Sequence, residues 1–185
     1  MIFRFDDISA NTDFNKLGLM IDFIKPKISQ LYLGISNLCH TIVEETDNKE
    51  RVFPSFFKTA CSEKNYYTVN KMLLSEKLAL WRYAEKIIFV SHGLVHIDHT
   101  LLTREQQEMS ILVSKSLIPS NFFIPPFNKF NQDTISICKE NNIVLLGLNE
   151  VWKNADFNKF DPEVEYWYCH SWRWKIEDFA QWYIL

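Results

Sequence analysis

Glycine is scarce in this 185-residue chain, with 4 residues, and proline is limited to 6. That excludes collagen-like, low-complexity and linker-rich architectures, and no internal repeat is present. Cys39, Cys61, Cys138 and Cys169 are widely spread with no CxxC pair. The spacing supports neither a disulfide framework nor a thiolate zinc site, so reduced, buried thiols are expected. No basic block exists: 20 Lys and Arg stand against 23 Asp and Glu, for a net charge of -3. Nucleic acid and anionic membrane are therefore poor partners. No apolar run approaches the ~20 residues that span a bilayer, so no membrane insertion is expected. Met1 to Asp7 lacks the apolar core of a signal peptide, and the expected location is cytoplasmic. Apolar side chains, in contrast, are abundant at 47% of residues, with 15% aromatic. The length and this content predict a single domain over 1–185 with a sizeable core.

Apolar runs alternate with helical periodicity along the chain. Strands are expected near 2–6, 30–35, 86–91, 121–125, 143–148 and 164–169. Helices are expected over 13–25, 70–85, 103–117, 131–142 and 176–185, with Met72, Met109 and the helix leucines in the core. Pro26 stops the first helix, and Asn11, Thr12 or Asp13 can cap it. The stretch 36–69 has no clear period, and its aromatic residues are read as cover for the core. Strands alternating with helices predict an α/β fold with a mainly parallel sheet.

Polar groups collect at the ends of these strands. Asp6-Asp7 ends the first strand, His92 and His96 follow the third, and His170 ends the last. Pro125-Pro126-Phe127-Asn128 leaves a fourth. In a parallel barrel or open sheet these ends share one face, where ligands bind. His92 and His96, one helical turn apart, can point to the same side. Two histidines and a carboxylate with an open position form a catalytic metal arrangement. A second carboxylate and His170 remain for proton transfer. His99 is an alternate ligand, Asp98 a helix cap or an acceptor for a His N–H, and His40 is structural.

These residues carry a resemblance. Phe5-Asp6-Asp7, His92-Gly93-Leu94-Val95-His96, Phe123-Ile124-Pro125-Pro126-Phe127-Asn128 and His170 resemble, in order, four motifs of the polysaccharide deacetylase superfamily (NodB-homology, carbohydrate esterase family four). The His-Gly and Pro-Pro-Phe-Asn forms are similar to a divergent branch. The resemblance implies a distorted, incomplete (β/α) barrel that removes acetyl groups from N-acetylated sugars. It implies Asp6 as general base and Asp7, His92 and His96 as ligands of a divalent metal, zinc (Zn2+) foremost. It makes His170 the general acid and implies oxyanion stabilisation by a backbone N–H near Phe127. Pro126, Phe127, Asn128 and Trp172 are then substrate-binding, and Trp167 and Trp174 could join Trp172 in stacking on sugar rings. The implied partner is an acetylated sugar or glycan, with a role in making surface polysaccharide such as O-antigen or capsule.

Two departures stand out. Ile124 occupies the place of the family's arginine, so Asp6 either is held otherwise or is not the base, and Asn128 is a substitute or a substrate contact. The family's Asp near a Trp, which supports the acid, has only Glu150 and Trp152 as weak candidates. A non-catalytic carbohydrate-binding protein and another metal-dependent amidohydrolase are the competing readings.

Overall fold

The computed structural model describes residues 1–9, 12–36, 78–79, 81, 84–94 and 96–184. The expected helix over 70–85 falls largely outside these residues. The stretch 37–69, His40, Met72, Cys39 and Cys61 lie outside them as well.

Among the described residues seven strands form one sheet: β1 (Ile2–Ile8), β2 (Gln30–Ile35), β3 (Ile87–Ser91), β4 (Phe122–Phe123), β5 (Val144–Leu145), β6 (Lys153–Asn154) and β7 (Tyr166–His170). Their order is β5-β4-β3-β2-β1-β7-β6, and every pair is parallel. The sheet curls into an incomplete (β/α) barrel. Helices α1 (Phe14–Ile24), α2 (Arg104–Leu117), α3 (Gln132–Glu140) and α4 (Ile176–Ile184) accompany it. Parallel neighbours require such crossovers.

The helices begin where the sequence marks them. Asp13 caps α1 by accepting from the Lys16 N–H. Thr103 with Gln106, and Asn131 with Thr134, form reciprocal capping pairs on α2 and α3. The buried face of α2 is unusually polar: Gln107, Ser110, Ile111 and Ser114. Met109, expected in the core, is exposed on the same helix.

β1 is buried on both faces, and its alternation divides them. Phe3 and Phe5 point outward into the main core with Leu17, Met20, Ile24, Trp167 and Phe179. The inner side of the curl is filled by Tyr32, Val90, Ile124 and Leu146, with Trp152 against them. Arg4 is also completely buried.

Lateral register aligns the strand ends. Ile8 pairs Ile35, Ile35 pairs Ser91, Ser91 pairs Phe123, and Phe123 pairs Leu145. On the other side Asp6 pairs His170. The chain segments leaving β1, β3, β4 and β7 therefore emerge along one edge.

Candidate active site

Adjacent residues of a regular strand face opposite ways, so Asp6 and Asp7 need a local irregularity to serve one site. It is present. Between the pairs Phe5–Leu33 and Ile8–Ile35, β1 advances three residues while β2 advances two. Such a bulge re-aims side chains, and Asp7 carries a left-handed backbone with φ 61°. A carboxylate-bearing residue held in that region is the kind of strain that marks functional sites.

Asp7 lies at the centre of a buried cluster. Its Oδ1 is 3.1 Å from His92 Nε2 and 2.8 Å from His96 Nε2. Its Oδ2 is 3.4 Å from His170 Nε2 and accepts from the Trp172 indole N–H at 3.4 Å. The His92 and His96 imidazoles are 5.2 Å apart, centre to centre. The structure thus brings His92 and His96 together, but not by the helical turn expected. The described residues of 92–98 contain no helix. A loop brings the rings together, turning at Gly93 with φ 84°, where a side chain would be strained. Ser110 of α2 holds this loop by accepting from the Leu94 N–H at 3.2 Å.

The donor set fits a divalent metal. Asp7, His92 and His96 each offer a ligand atom within 4.8 Å of the others. His92 Nδ1 is 2.8 Å from the Ile124 carbonyl, to which it must donate. In a neutral ring that leaves a lone pair on Nε2, aimed at a carboxylate oxygen 3.1 Å away. Two such acceptors need a cation or proton between them, and a carbonyl on the far nitrogen is the usual orienting partner of a metal-binding His.

His99 is not part of this cluster. It is fully buried, with Nε2 3.1 Å from Ser110 Oγ. Burial, aided by the charges of His92 and His96, pushes its pKa down to about 3. Asp98 caps the 3₁₀ turn His99–Leu101, bonding the Thr100 N–H at 3.0 Å and the Lys129 ammonium at 2.8 Å.

His170 stands opposite, and its Nδ1 hydrogen-bonds Asp156. Asp156 also accepts from the Trp174 indole N–H at 2.8 Å. Asp156 and Trp174 therefore occupy the supporting role for which Glu150 and Trp152 were candidates. Glu150 instead accepts from the Gly147 N–H at 2.8 Å, and Trp152 packs on Arg4. Burial acts to lower the pKa of His170. The hydrogen bond to Asp156 and the charges of Asp7 and Asp6 outweigh it, and the net direction is upward. Asp156 follows β6, a two-residue strand that the sequence gives no means to see.

The missing arginine is answered from an unexpected place. Arg4 Nη2 is 3.0 Å from Asp6 Oδ2 and also donates to Asn128 Oδ1. Asn128 thus contacts Arg4. The available signal was a charged residue two positions before Asp6 in an apolar strand. Ile124 contributes its carbonyl to His92 and its side chain to the inner core. Phe127 and Asn128 both have left-handed backbones, φ 57° and 54°. Phe127 packs on His96 at 4.4 Å between ring centres and is 44% exposed. Trp172 is 51% exposed beside His170. Trp167 is entirely core, and Trp174 is packed inward on Asp156 and Phe179. Among the three tryptophans only Trp172 offers an open face.

Solved structures with this architecture identify the fold. A family 4 carbohydrate esterase from Streptomyces lividans, in complex with acetate, aligns with TM-score 0.59 at 12% identity, over 98% of this chain and 86% of that one. A peptidoglycan deacetylase from Bacillus subtilis aligns with TM-score 0.55 at 12% identity, over 100% of this chain and 80% of that one. The fold is that of the family 4 carbohydrate esterases. A family 4 pseudoenzyme from Bacillus anthracis also aligns, with TM-score 0.58 at 10% identity, over 100% of this chain but 59% of that one. The fold therefore spans both active and inactive proteins, and the side chains must decide the function. No protein-family model and no curated protein sequence matches the chain. Among the described residues no helix is long and apolar enough to cross a membrane.

Proposed function

We propose that this chain is a metal-dependent deacetylase that hydrolyses the N-acetyl group of an amino sugar or glycan. One observation carries the reading: the cluster of Asp7, His92 and His96 adjoins a carboxylate-backed histidine, His170, whose strand partner is a second carboxylate, Asp6. Amide hydrolysis needs those parts together.

Asp7, His92 and His96 would hold the ion, zinc foremost. When bound it would polarise the acyl carbonyl and activate a water. Asp6 accepts a proton as the water oxygen adds to the acyl carbon. The C–N bond then breaks, and His170 donates its proton to the departing nitrogen, giving acetate and a free amine. Asp156 keeps the His170 ring oriented and favours its protonated form. A backbone N–H near Phe127 is the donor for charge developing on the acyl oxygen. The exposed faces of Trp172 and Phe127 flank the cluster and suit the apolar face of a sugar ring. A cytoplasmic role in surface polysaccharide biosynthesis belongs to the same proposal.

The test is acetate release from N-acetylated sugars by wild type, Asp6→Asn and His170→Ala, each at confirmed full metal occupancy. Both variants should lose on the order of 10²–10⁴ in rate. Wild-type turnover equal to that of both variants would leave a non-catalytic carbohydrate-binding protein, the reading that Ile124 favours. Turnover confined to acylated amines other than sugars would indicate a different amidohydrolase.

A further inference from the structure

The inward face of β1 carries a full positive charge that the reaction scheme does not use. Arg4 has no solvent exposure. Its guanidinium lies between the rings of Trp152 and Tyr168, 4.6 and 4.7 Å from their centres. Among the described residues Nε and Nη1 have no hydrogen-bond partner, so the ring faces take their place. Burying a guanidinium is expensive unless it is paired, and Arg4 directs Nη2 at both Asp6 Oδ2 and Asn128 Oδ1. It thereby ties three separate elements, the end of β1, strand β7 through Tyr168, and the left-handed loop after Pro125-Pro126.

Asp6 is also confined from the other side. A methyl group on Gly34 would lie 3.3 Å from Asp6 Oδ1 and 3.2 Å from Ile124 Cδ1. The tip of the Ile124 side chain therefore lies within about 6.5 Å of Asp6 Oδ1, and it is apolar. Asp6 Oδ1 itself is buried and has no hydrogen-bond partner among the described residues. One oxygen is clamped and the other is left available.

We infer that Arg4 is the positioning residue of this site, fixing Asp6 by one oxygen so that the other can accept a proton, and holding the Phe127-Asn128 loop through Asn128. The inference rests on the deacetylase reading for its kinetic consequence, but the geometry it asserts concerns Asp6 alone. A general base misplaced by about 1 Å loses on the order of a hundredfold in rate.

The experiment compares wild type, Arg4→Met, Arg4→Lys and the double variant Arg4→Met with Ile124→Arg. Metal content, kcat and KM for an N-acetyl sugar, and a crystal structure of each are measured. Arg4→Met should keep its metal and hold KM within about threefold while kcat falls about a hundredfold. Arg4→Lys, which keeps charge but loses the planar fork, should fall about tenfold. Returning a guanidinium from position 124 should recover at least about tenfold of the Arg4→Met loss, which a merely structural role for Arg4 would not allow. In the crystals the Asp6 carboxylate should turn away in Arg4→Met and return in the double variant. Unchanged kcat in a folded, metal-loaded Arg4→Met overturns the inference. If Arg4→Met does not fold, Arg4→Lys decides, and wild-type kcat there overturns it. If wild type releases no acetate, the deacetylase reading fails, and the crystals decide alone: an undisturbed Asp6 in the Arg4 variants overturns the clamp, and a displaced one supports it.

Discussion

Asp156 hydrogen-bonds the His170 ring, and two further carboxylates, Asp7 and Asp6, act on the ring through space. Burial alone would expel the proton; these charges keep it. A general acid must be protonated when the C–N bond breaks, so the alkaline limb of the rate profile should lie above the ordinary histidine value of 6.5. Asp156→Asn removes the largest favourable contribution and should move that limb to lower pH, with KM little changed. A limb that stays in place would show that another group controls it. His99 illustrates the opposite case. It is buried neutral, with its pKa held at about 3 against 6.5 when exposed. Below 6.5 the unfolded chain takes up a proton that the folded chain refuses. The stability is therefore fully present above about 6.5 and is lost as pH falls toward about 3. Between pH 7.5 and 5 this one group should cost about 2 kcal/mol. Urea unfolding of the metal-free protein at the two pH values, wild type against His99→Gln, measures it. Equal pH dependence in both proteins would sink the assignment.

At the scale of elements, the site is built from interruptions of regular structure. The bulge in β1, the turn at Gly93 and the paired left-handed residues Phe127 and Asn128 each aim a side chain or an amide that a regular strand or helix would misdirect. Gly93 is the most exposed to test, because φ 84° disfavours any side chain. Gly93→Ala should lose on the order of 1–2 kcal/mol of stability, and metal affinity should fall with it, since the loop carries both His92 and His96. Calorimetric metal titration with a parallel denaturant melt checks both; an unchanged affinity would separate the turn from the site. The same interruptions explain what was legible in the sequence. Long elements announce themselves: β1, β2, β3 and α2 lie within two residues of the expected bounds, because their apolar periods and caps are local signals. β4, β5 and β6 keep only two residues each, too few for any period, and β6 was missed altogether. With it went Asp156, whose partnership with His170 depends on the β6–β7 pairing. The sequence spacing marked His92 and His96 as a pair, but the described residues between His92 and Asp98 form a loop, not the helical turn that the spacing suggested. Arg4 was overlooked because its significance is a tertiary fact, the convergence of β1, the Pro-Pro loop and two aromatic rings on one guanidinium.

At the scale of the whole molecule, the three candidate ligands come from different places along the chain but from one end of one sheet. Asp7 belongs to β1, His92 follows β3 directly, and His96 stands on the loop beyond. Parallel pairing in register is what makes this possible, since β1, β2 and β3 end level with one another. An ion bound there would cross-link β1 to the segment after β3, with β2 between them, and would do so only in the folded chain. Linkage then requires the ion to raise stability, by about 2.7 kcal/mol at a free concentration a hundred times Kd. For a domain of this length that corresponds to a melting temperature higher by about 5–10 °C. Chelation of the wild type should remove the increment, and zinc should restore it. His96→Ala should melt at the same temperature with and without zinc, having lost one of three ligands. His99→Gln should keep the full zinc-dependent rise, because His99 contacts Ser110 and lies outside the ligand cluster. A zinc-dependent rise that survives His96→Ala and disappears in His99→Gln would place the ion on the other histidine and overturn the ligand set.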